Sequence, residues 1–336
     1  MNDYGTVRSW ITSLKACGKA FEGSTTERRY VFWLSLFCNH VGMNPDELFL
    51  SFSEKIRFGG FQGMQEVRTA LNDFVVHLQD KGYSRNSIAQ AVAAVKSFFS
   101  HNGLPIKYAV PREEPAEPRL PTPEEIATLY SLVDRVCPMN AMYVKAFILI
   151  AKDSGLSVDT VLRLEWEKPQ STGAERPFPS IAEQIETGAV PVHVRVSRKK
   201  TGVKHDSFLG EEAVSALKIL YEESGARGRL IPLRDDYIRH RLRRACRVGK
   251  IPPISPQLLR KFFITRMKLA PRLVGKNLDE KAKHLVHYLH GWDVIVEYMA
   301  EHTRSRVERA YFIPPWEILA ELYTLHYDAI RIFRRG

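Results

Sequence analysis

Three side chains late in the sequence have the types, and stand in the order, that attack on a phosphodiester requires. Arg260 lies in the run Q-L-L-R-K-F-F-I-T-R (Gln257 to Arg266), and Y-M-A-E-H-T-R-S-R-V-E-R-A-Y (Tyr298 to Tyr311) carries His302 and, nine positions on (311 minus 302), Tyr311. The transition state at phosphorus gathers negative charge on the non-bridging oxygens, and removing one fixed donor aimed at that charge costs roughly a hundred- to thousand-fold in rate. The guanidinium of Arg260 is a planar fork that fits two oxygens of one phosphate. His302 can donate to an oxygen or help the tyrosine lose its proton. A tyrosine hydroxyl has an ordinary pKa of about 10 and becomes a useful nucleophile only beside such groups. The chemistry calls for no metal and no other cofactor.

The elements that must hold these residues read mostly as helices. Met142 to Ala151 is an apolar helix that Asp153-Ser154-Gly155-Leu156 breaks, and a second helix begins with Ser157 as its N-cap. Val192, Val194 and Val196 alternate with His193, Arg195 and Ser197, the pattern of a half-buried strand. The basic turn Arg198-Lys199-Lys200-Thr201-Gly202-Val203-Lys204 follows, and Ser207-Phe208-Leu209 begins the return strand. Arg239 to Arg247 is a basic helical segment whose inward face is Leu242, Ala245 and Cys246, leaving Arg239, Arg243, Arg244 and Arg247 for a polyanion backbone. Lys261, beside Arg260, is a further candidate contact. Lys283 to Ala300 reads as one helix, and its His284, His287 and His290 have no nearby acidic or cysteine ligand to make a metal set. Pro314-Pro315 ends the tyrosine segment, and Trp316 to Phe333 reads as a final amphipathic helix.

The first part of the chain has no catalytic constellation. Helical patterns run near Val7–Cys17, Thr25–Val41, Pro45–Ser53, Gly63–Lys81 and Ser84–Asn102, with capping boxes or caps at Ser24/Glu27 and Ser84. Lys81, Arg85 and Lys96 sit at or near the ends of the last of these helices, where phosphate contacts are made. From Pro105 to Pro123 the chain turns proline-rich, a semi-rigid spacer, and Thr122, Pro123 and Glu125 supply the start of a new helix. The expected organisation is a helical domain over 1–106, a linker over 107–121 and a second domain over 122–336.

A formal charge of +11 on 336 residues that are 44% hydrophobic indicates a folded chain with a polyanionic partner, nucleic acid ahead of a membrane surface. Four scattered cysteines, Cys17, Cys38, Cys137 and Cys246, fit buried thiols of a reducing compartment. No signal pattern opens the sequence, and no apolar run approaches the ~20 residues of a membrane span. A cytoplasmic protein is expected, nucleoid-associated when on DNA.

L-L-R-K-F-F, E-H-T-R-S-R-V-E-R-A-Y, the G-L at Gly155-Leu156 and the K-T-G at Lys200 together resemble the motif order of the tyrosine recombinase (phage integrase) family. The motif style is closest to archaeal integrases. The resemblance covers nearly the whole chain and implies a mainly α fold with a small β-sheet (α+β), in which an N-terminal helical core-binding, SAM-like domain precedes a tyrosine-recombinase catalytic domain. It further implies double-stranded DNA as partner, self-association on DNA from dimer to tetramer, and a 3′-phosphotyrosine intermediate formed without metal or ATP. Tyr311 would be the nucleophile, Arg260 and His302 the stabilising groups, and Lys200 the general acid, with Lys199 its out-of-register rival and Arg198 beside it. The final helix would dock on a neighbouring protomer or on its own domain.

Two positions depart from the family pattern. Ser157 stands where an arginine follows the G-L, and Gln257 stands at the histidine of the H-x-x-R box, able to donate a hydrogen bond but not to transfer a proton. Arg163, six positions after Ser157, is expected to point elsewhere because i and i+6 do not share a helix face. Arg198 is the expected stand-in, and cleavage is expected to be slow. A DNA-binding protein on the recombinase scaffold and a type IB topoisomerase remain as alternative readings.

Overall fold

The structure is a computed structural model that describes residues 1, 3–18, 25–109, 119–167, 179–197, 204–273, 283, 286–287, 291–301 and 315–333. The chain folds as two compact units, Met1–Pro118 and Arg119–Gly336.

Among the described residues the first unit contains the helices α1 (Gly5–Ala16), α2 (Thr25–Val41), α3 (Pro45–Asp80) and α4 (Arg85–His101). Their starts follow from local chemistry. Asn44 accepts from the backbone of Asp46 and Glu47 while Glu47 reaches back to the Asn44 N–H, and Ser84 accepts from the Ser87 N–H at 3.3 Å. The buried faces meet in a core of Trp10, Phe37, Phe52, Phe74, Phe98 and Phe99, with Phe52 and Phe99 stacked at 5.2 Å. The sequence reading expects two helices, Pro45–Ser53 and Gly63–Lys81; α3 covers both and is broken between them at Gly60, whose φ 54° and ψ −123° are not helical. Ser24, the expected cap of α2, lies outside the described residues.

The second unit contains α5 (Pro123–Val136), α6 (Ala141–Ser154), α7 (Val158–Val161), α8 (Ile181–Glu186), β1 (Val192–Ser197), β2 (Lys204–Leu209), α9 (Glu211–Ser224), α10 (Asp235–Gly249), α11 (Pro256–Leu273), α12 (Trp292–Met299) and α13 (Trp316–His326). Thr122 and Glu125 form the expected capping box of α5. The apolar α6 is the central strut, buried through Val144, Phe147, Ile148 and Ile150 and packed against Leu259, Phe262, Phe263 and Met267 of α11. The strands β1 and β2 pair antiparallel, Val192 opposite Leu209 and Ser197 opposite Lys204. The fold is thus mainly helical with a two-stranded antiparallel sheet among the described residues.

Three expectations need correction. β2 begins at Lys204 rather than Ser207, because His205 and Asp206 are buried polar residues that break the apolar alternation without leaving the strand. Lys283 to Ala300 is not one helix: Gly291, at φ 106° and ψ 160°, stands outside helical space and α12 begins after it. Trp316 to Phe333 is helical only to His326, then makes a 3-10 turn over Tyr327–Ala329. This segment packs on its own unit, where Lys152 donates to the Ile330 carbonyl at 3.2 Å and Glu212 accepts from the Ile332 and Phe333 N–H groups. No described helix is long and apolar enough to cross a membrane.

Candidate active site

The break after α6 is seated on α11 by a close approach that only glycine allows. Gly155 has φ +62°, and a Cβ there would lie 2.3 Å from the ring of Phe263. Ser255 starts α11 by accepting from the Leu258 N–H at 3.3 Å, and Pro256 takes the first helical position. Phe263 and Arg260 belong to neighbouring turns of that helix, so seating Gly155 on Phe263 brings the Ser157 turn toward the Arg260 guanidinium.

Between them sits a residue that the sequence reading did not single out. The carboxylate of Glu301, fully buried, accepts from Arg260 Nη1 at 3.4 Å and from the Ser157 N–H at 3.3 Å through Oε2. Its Oε1 accepts from the Thr160 hydroxyl at 2.8 Å. Ser157 is at the N-cap position of α7, yet its hydroxyl pairs with that of Thr160 at 2.8 Å instead of capping a backbone N–H. Glu301 follows the C-terminus of α12 in the left-handed region, φ 56°, a conformation that costs a residue with a side chain about 1–2 kcal/mol. Glycine is the usual occupant of such a post-helix position. The one sequence signal for Glu301 is an acidic residue directly before His302.

Arg163 also differs from expectation. α7 is a single turn ending at Val161, so the helix-face argument fails and the chain brings Arg163 back over the Ser157 turn. Its Nη2 donates to the Ser197 carbonyl at 3.2 Å and lies 3.5 Å from Thr160 Oγ1, while Nε donates to the Asp159 carbonyl at 3.2 Å. Ser197 is the last residue of β1. The other edge of the hairpin is fixed to the same break, Ser207 Oγ donating to the Ser154 carbonyl at 3.0 Å.

A second group steadies the hairpin. Asp206 on β2 takes bonds from His193 at 2.8 Å, from Arg195 Nε at 2.9 Å and from the Tyr298 hydroxyl at 2.7 Å. Burial alone pushes the Asp206 carboxyl up, but the donors His193, Arg195 and Tyr298 outweigh it and hold its pKa at about 2. Burial, with the Asp206 carboxylate beside it, pushes the Tyr298 hydroxyl far above the ordinary tyrosine range. Trp316 stacks on His193 at 5.1 Å, which joins α13 to the same sheet.

Of the residues expected to do chemistry, Arg260 is brought into this cluster with its side chain 13% exposed, and Gln257 lies one turn earlier on α11, exposed. Tyr311, His302, Lys200, Lys199 and Arg198 lie outside the described residues. Among the expected DNA contacts, Lys81, Arg85, Arg243, Arg244 and Arg247 are exposed, Lys261 is half-buried, and Arg239 pairs with Asp235 at 2.6 Å. Lys96 is turned inward, donating to the Tyr108 carbonyl at 2.7 Å.

No protein-family model matches this chain, and no curated protein matches its sequence. Solved structures do match. The structure is similar to lambda integrase (residues 75–356) as a dimer bound to a COC′ core site, with TM-score 0.53 and 14% identity over 89% of this chain and 96% of that one. It is also similar to the Tn1549 transposon integrase in complex with a circular-intermediate DNA, with TM-score 0.52 and 11% identity over 95% of this chain and 99% of that one. At such identities the likeness establishes a common fold.

Proposed function

We propose that this chain is a site-specific DNA recombinase of the tyrosine type, with motifs closest in style to those of archaeal integrases. The observation that carries the reading is the meeting of the Ser157 turn and Arg260 at the Glu301 carboxylate. That meeting joins the two arginine-box segments at the residue that immediately precedes His302, in a fold shared with integrases. Tyr311 would attack phosphorus, forming the tyrosyl–phosphate bond as the bond to the 5′ oxygen breaks. Lys200 would give the leaving oxygen its proton, and Arg260 and His302 would hold the charge that gathers on the non-bridging oxygens. The 5′ hydroxyl of a partner duplex would then attack the phosphotyrosine and release Tyr311, so the phosphodiester energy is conserved without ATP. The lambda integrase neighbour is a dimer on its core site, and we extend assembly on duplex DNA, to dimer and tetramer, to this chain.

Three described tyrosines of this region support the choice of Tyr311. Tyr298, Tyr323 and Tyr327 are buried, and their hydroxyls donate to Asp206 Oδ2 at 2.7 Å, to the Asp153 carbonyl at 3.1 Å and to Asp153 Oδ2 at 3.1 Å. None of the three presents an oxygen to a duplex.

Tyr311→Phe is the direct test, because it removes one hydroxyl and leaves the basic surfaces in place. Duplex affinity is expected within about threefold of wild type while covalent adduct on a nicked duplex disappears. An adduct formed by the Phe variant would place the nucleophile elsewhere. Wild-type protein that binds duplex but forms no adduct would be the DNA-binding alternative, and relaxation that needs only one target site would mark a topoisomerase.

A further inference from the structure

We propose that Arg163 supplies the second guanidinium of the phosphate site, in place of the arginine absent at position 157; the assignment rests on the strand-transfer reading above. The need for it is electrostatic. A phosphodiester brings one negative charge, more develops at the transition state, and the buried Glu301 carboxylate already draws on Arg260. Ser157 adds a hydroxyl and a backbone N–H but no charge. Among the described residues other than Arg163, one cation, Arg260, stands beside this carboxylate, and a second guanidinium close by would favour the docking of a phosphate there.

Among the described residues, Arg163 is the other guanidinium tied to this cluster. Thr160 Oγ1, which donates to Glu301 Oε1 at 2.8 Å, lies 3.5 Å from Arg163 Nη2. The two arginines therefore flank one carboxylate, Arg260 directly and Arg163 across a single hydroxyl. Arg163 is also the more open of the two, its side chain 38% exposed against 13% for Arg260. Its ion pair, Asp159 at 3.3 Å, is 61% exposed, a contact that solvent weakens and that a phosphate oxygen can replace at little cost. The bond from Nη2 to the Ser197 carbonyl sets the guanidinium at the end of β1. In this arrangement Arg163 touches the non-bridging oxygens and moves no proton.

The test is single-turnover cleavage of a nicked duplex by wild type, Arg163→Ala, Arg163→Lys and the double variant Ser157→Arg/Arg163→Ala, with duplex affinity measured in parallel. Arg163→Ala is expected to slow cleavage at least ~100-fold with affinity changed about threefold or less. Arg163→Lys keeps the charge without the fork and is expected to fall between the two. The double variant is expected to recover at least ~10-fold of the loss, because it returns a guanidinium to the same phosphate. On a methylphosphonate at the scissile position, where a charged oxygen is replaced by methyl, wild type and Arg163→Ala are expected within about threefold of each other.

Arg163→Ala cleaving within about threefold of wild type on the phosphodiester would overturn the assignment. So would a loss that the methylphosphonate does not erase and that Ser157→Arg does not relieve, the signature of a residue that only holds the turn to the hairpin. If Arg163→Ala fails to fold, Arg163→Lys and the wild-type phosphodiester-to-methylphosphonate ratio decide the matter: a lysine variant equal to wild type on both substrates would overturn it. A wild-type lane without adduct on the phosphodiester would instead defeat the strand-transfer reading, and this assignment with it.

Discussion

Two fully buried carboxylates in the second unit use the same device for different ends. Asp153 accepts from the Gly210 N–H at 3.1 Å, the Ala213 N–H at 3.2 Å and the Tyr327 hydroxyl at 3.1 Å, and it pairs with Lys152, which also meets Glu212 at 2.6 Å. Lys152 is 0% exposed, so this network is closed, and it ties α6 and α9 to the C-terminal segment. Glu301 has a comparable set of donors, but its cation, Arg260, reaches the surface and a second guanidinium waits beyond Thr160. A buried anion whose cation is sealed in holds an architecture together. One whose cation opens to solvent can exchange that cation's attention with an incoming phosphate.

Lys152→Ala should show the closed network at its strongest. It leaves Asp153 and Glu212 buried without their cation, at a cost of about 3–5 kcal/mol, readable as a fall in the urea midpoint with the C-terminal segment becoming protease-sensitive. A loss no larger than that of a surface substitution would mean the network is not closed. Next in size, Arg260→Ala should cost cleavage roughly a hundred- to thousand-fold, equivalent to about 3–4 kcal/mol at the transition state. Its effect on stability should be smaller than that of Lys152→Ala, because Glu301 keeps Ser157 and Thr160 as donors. The reverse ranking of the two stabilities would erase the distinction between the sites.

The smallest effect concerns the hairpin. Asp206 has a folded-state pKa of about 2 against an ordinary 3.8, so its bonds contribute about 2 kcal/mol that is fully present above the ordinary value. Because the folded pKa is the lower of the two, that contribution disappears as pH falls from near 4 through 2. The stability gap between wild type and Asp206→Asn, measured by urea unfolding, should therefore narrow over that interval. A gap that widens as pH falls would show that the donors do not hold the charged form.

How much of this the sequence discloses depends on the range of the contact involved. The caps at Thr122 and Ser84, the strut of α6 and the break at Gly155 are local, and each follows from residues a few positions apart. The Arg260 segment is legible because its apolar spacing and its guanidinium share one helix. Glu301 is not, since its partners come from α7 and α11 and nothing in its own neighbours specifies them. Arg163 misleads in a different way, because the helix-face rule holds only while the helix continues, and α7 stops after one turn. The first half of β2 hides for a third reason: His205 and Asp206 are polar residues buried by a hydrogen-bonded network rather than by apolar packing.

The central claim is that Tyr311 attacks a phosphate held at the Glu301–Arg260 cluster, and peptide mapping of the covalent adduct tests it most directly. Wild-type protein would be trapped on a nicked duplex, digested, and the nucleotide-bearing peptide sequenced by mass spectrometry. The account predicts the nucleotide on Tyr311 through its 3′ phosphate, with a free 5′ hydroxyl on the released strand. An adduct on any other residue, or one joined through a 5′ phosphate, would contradict it.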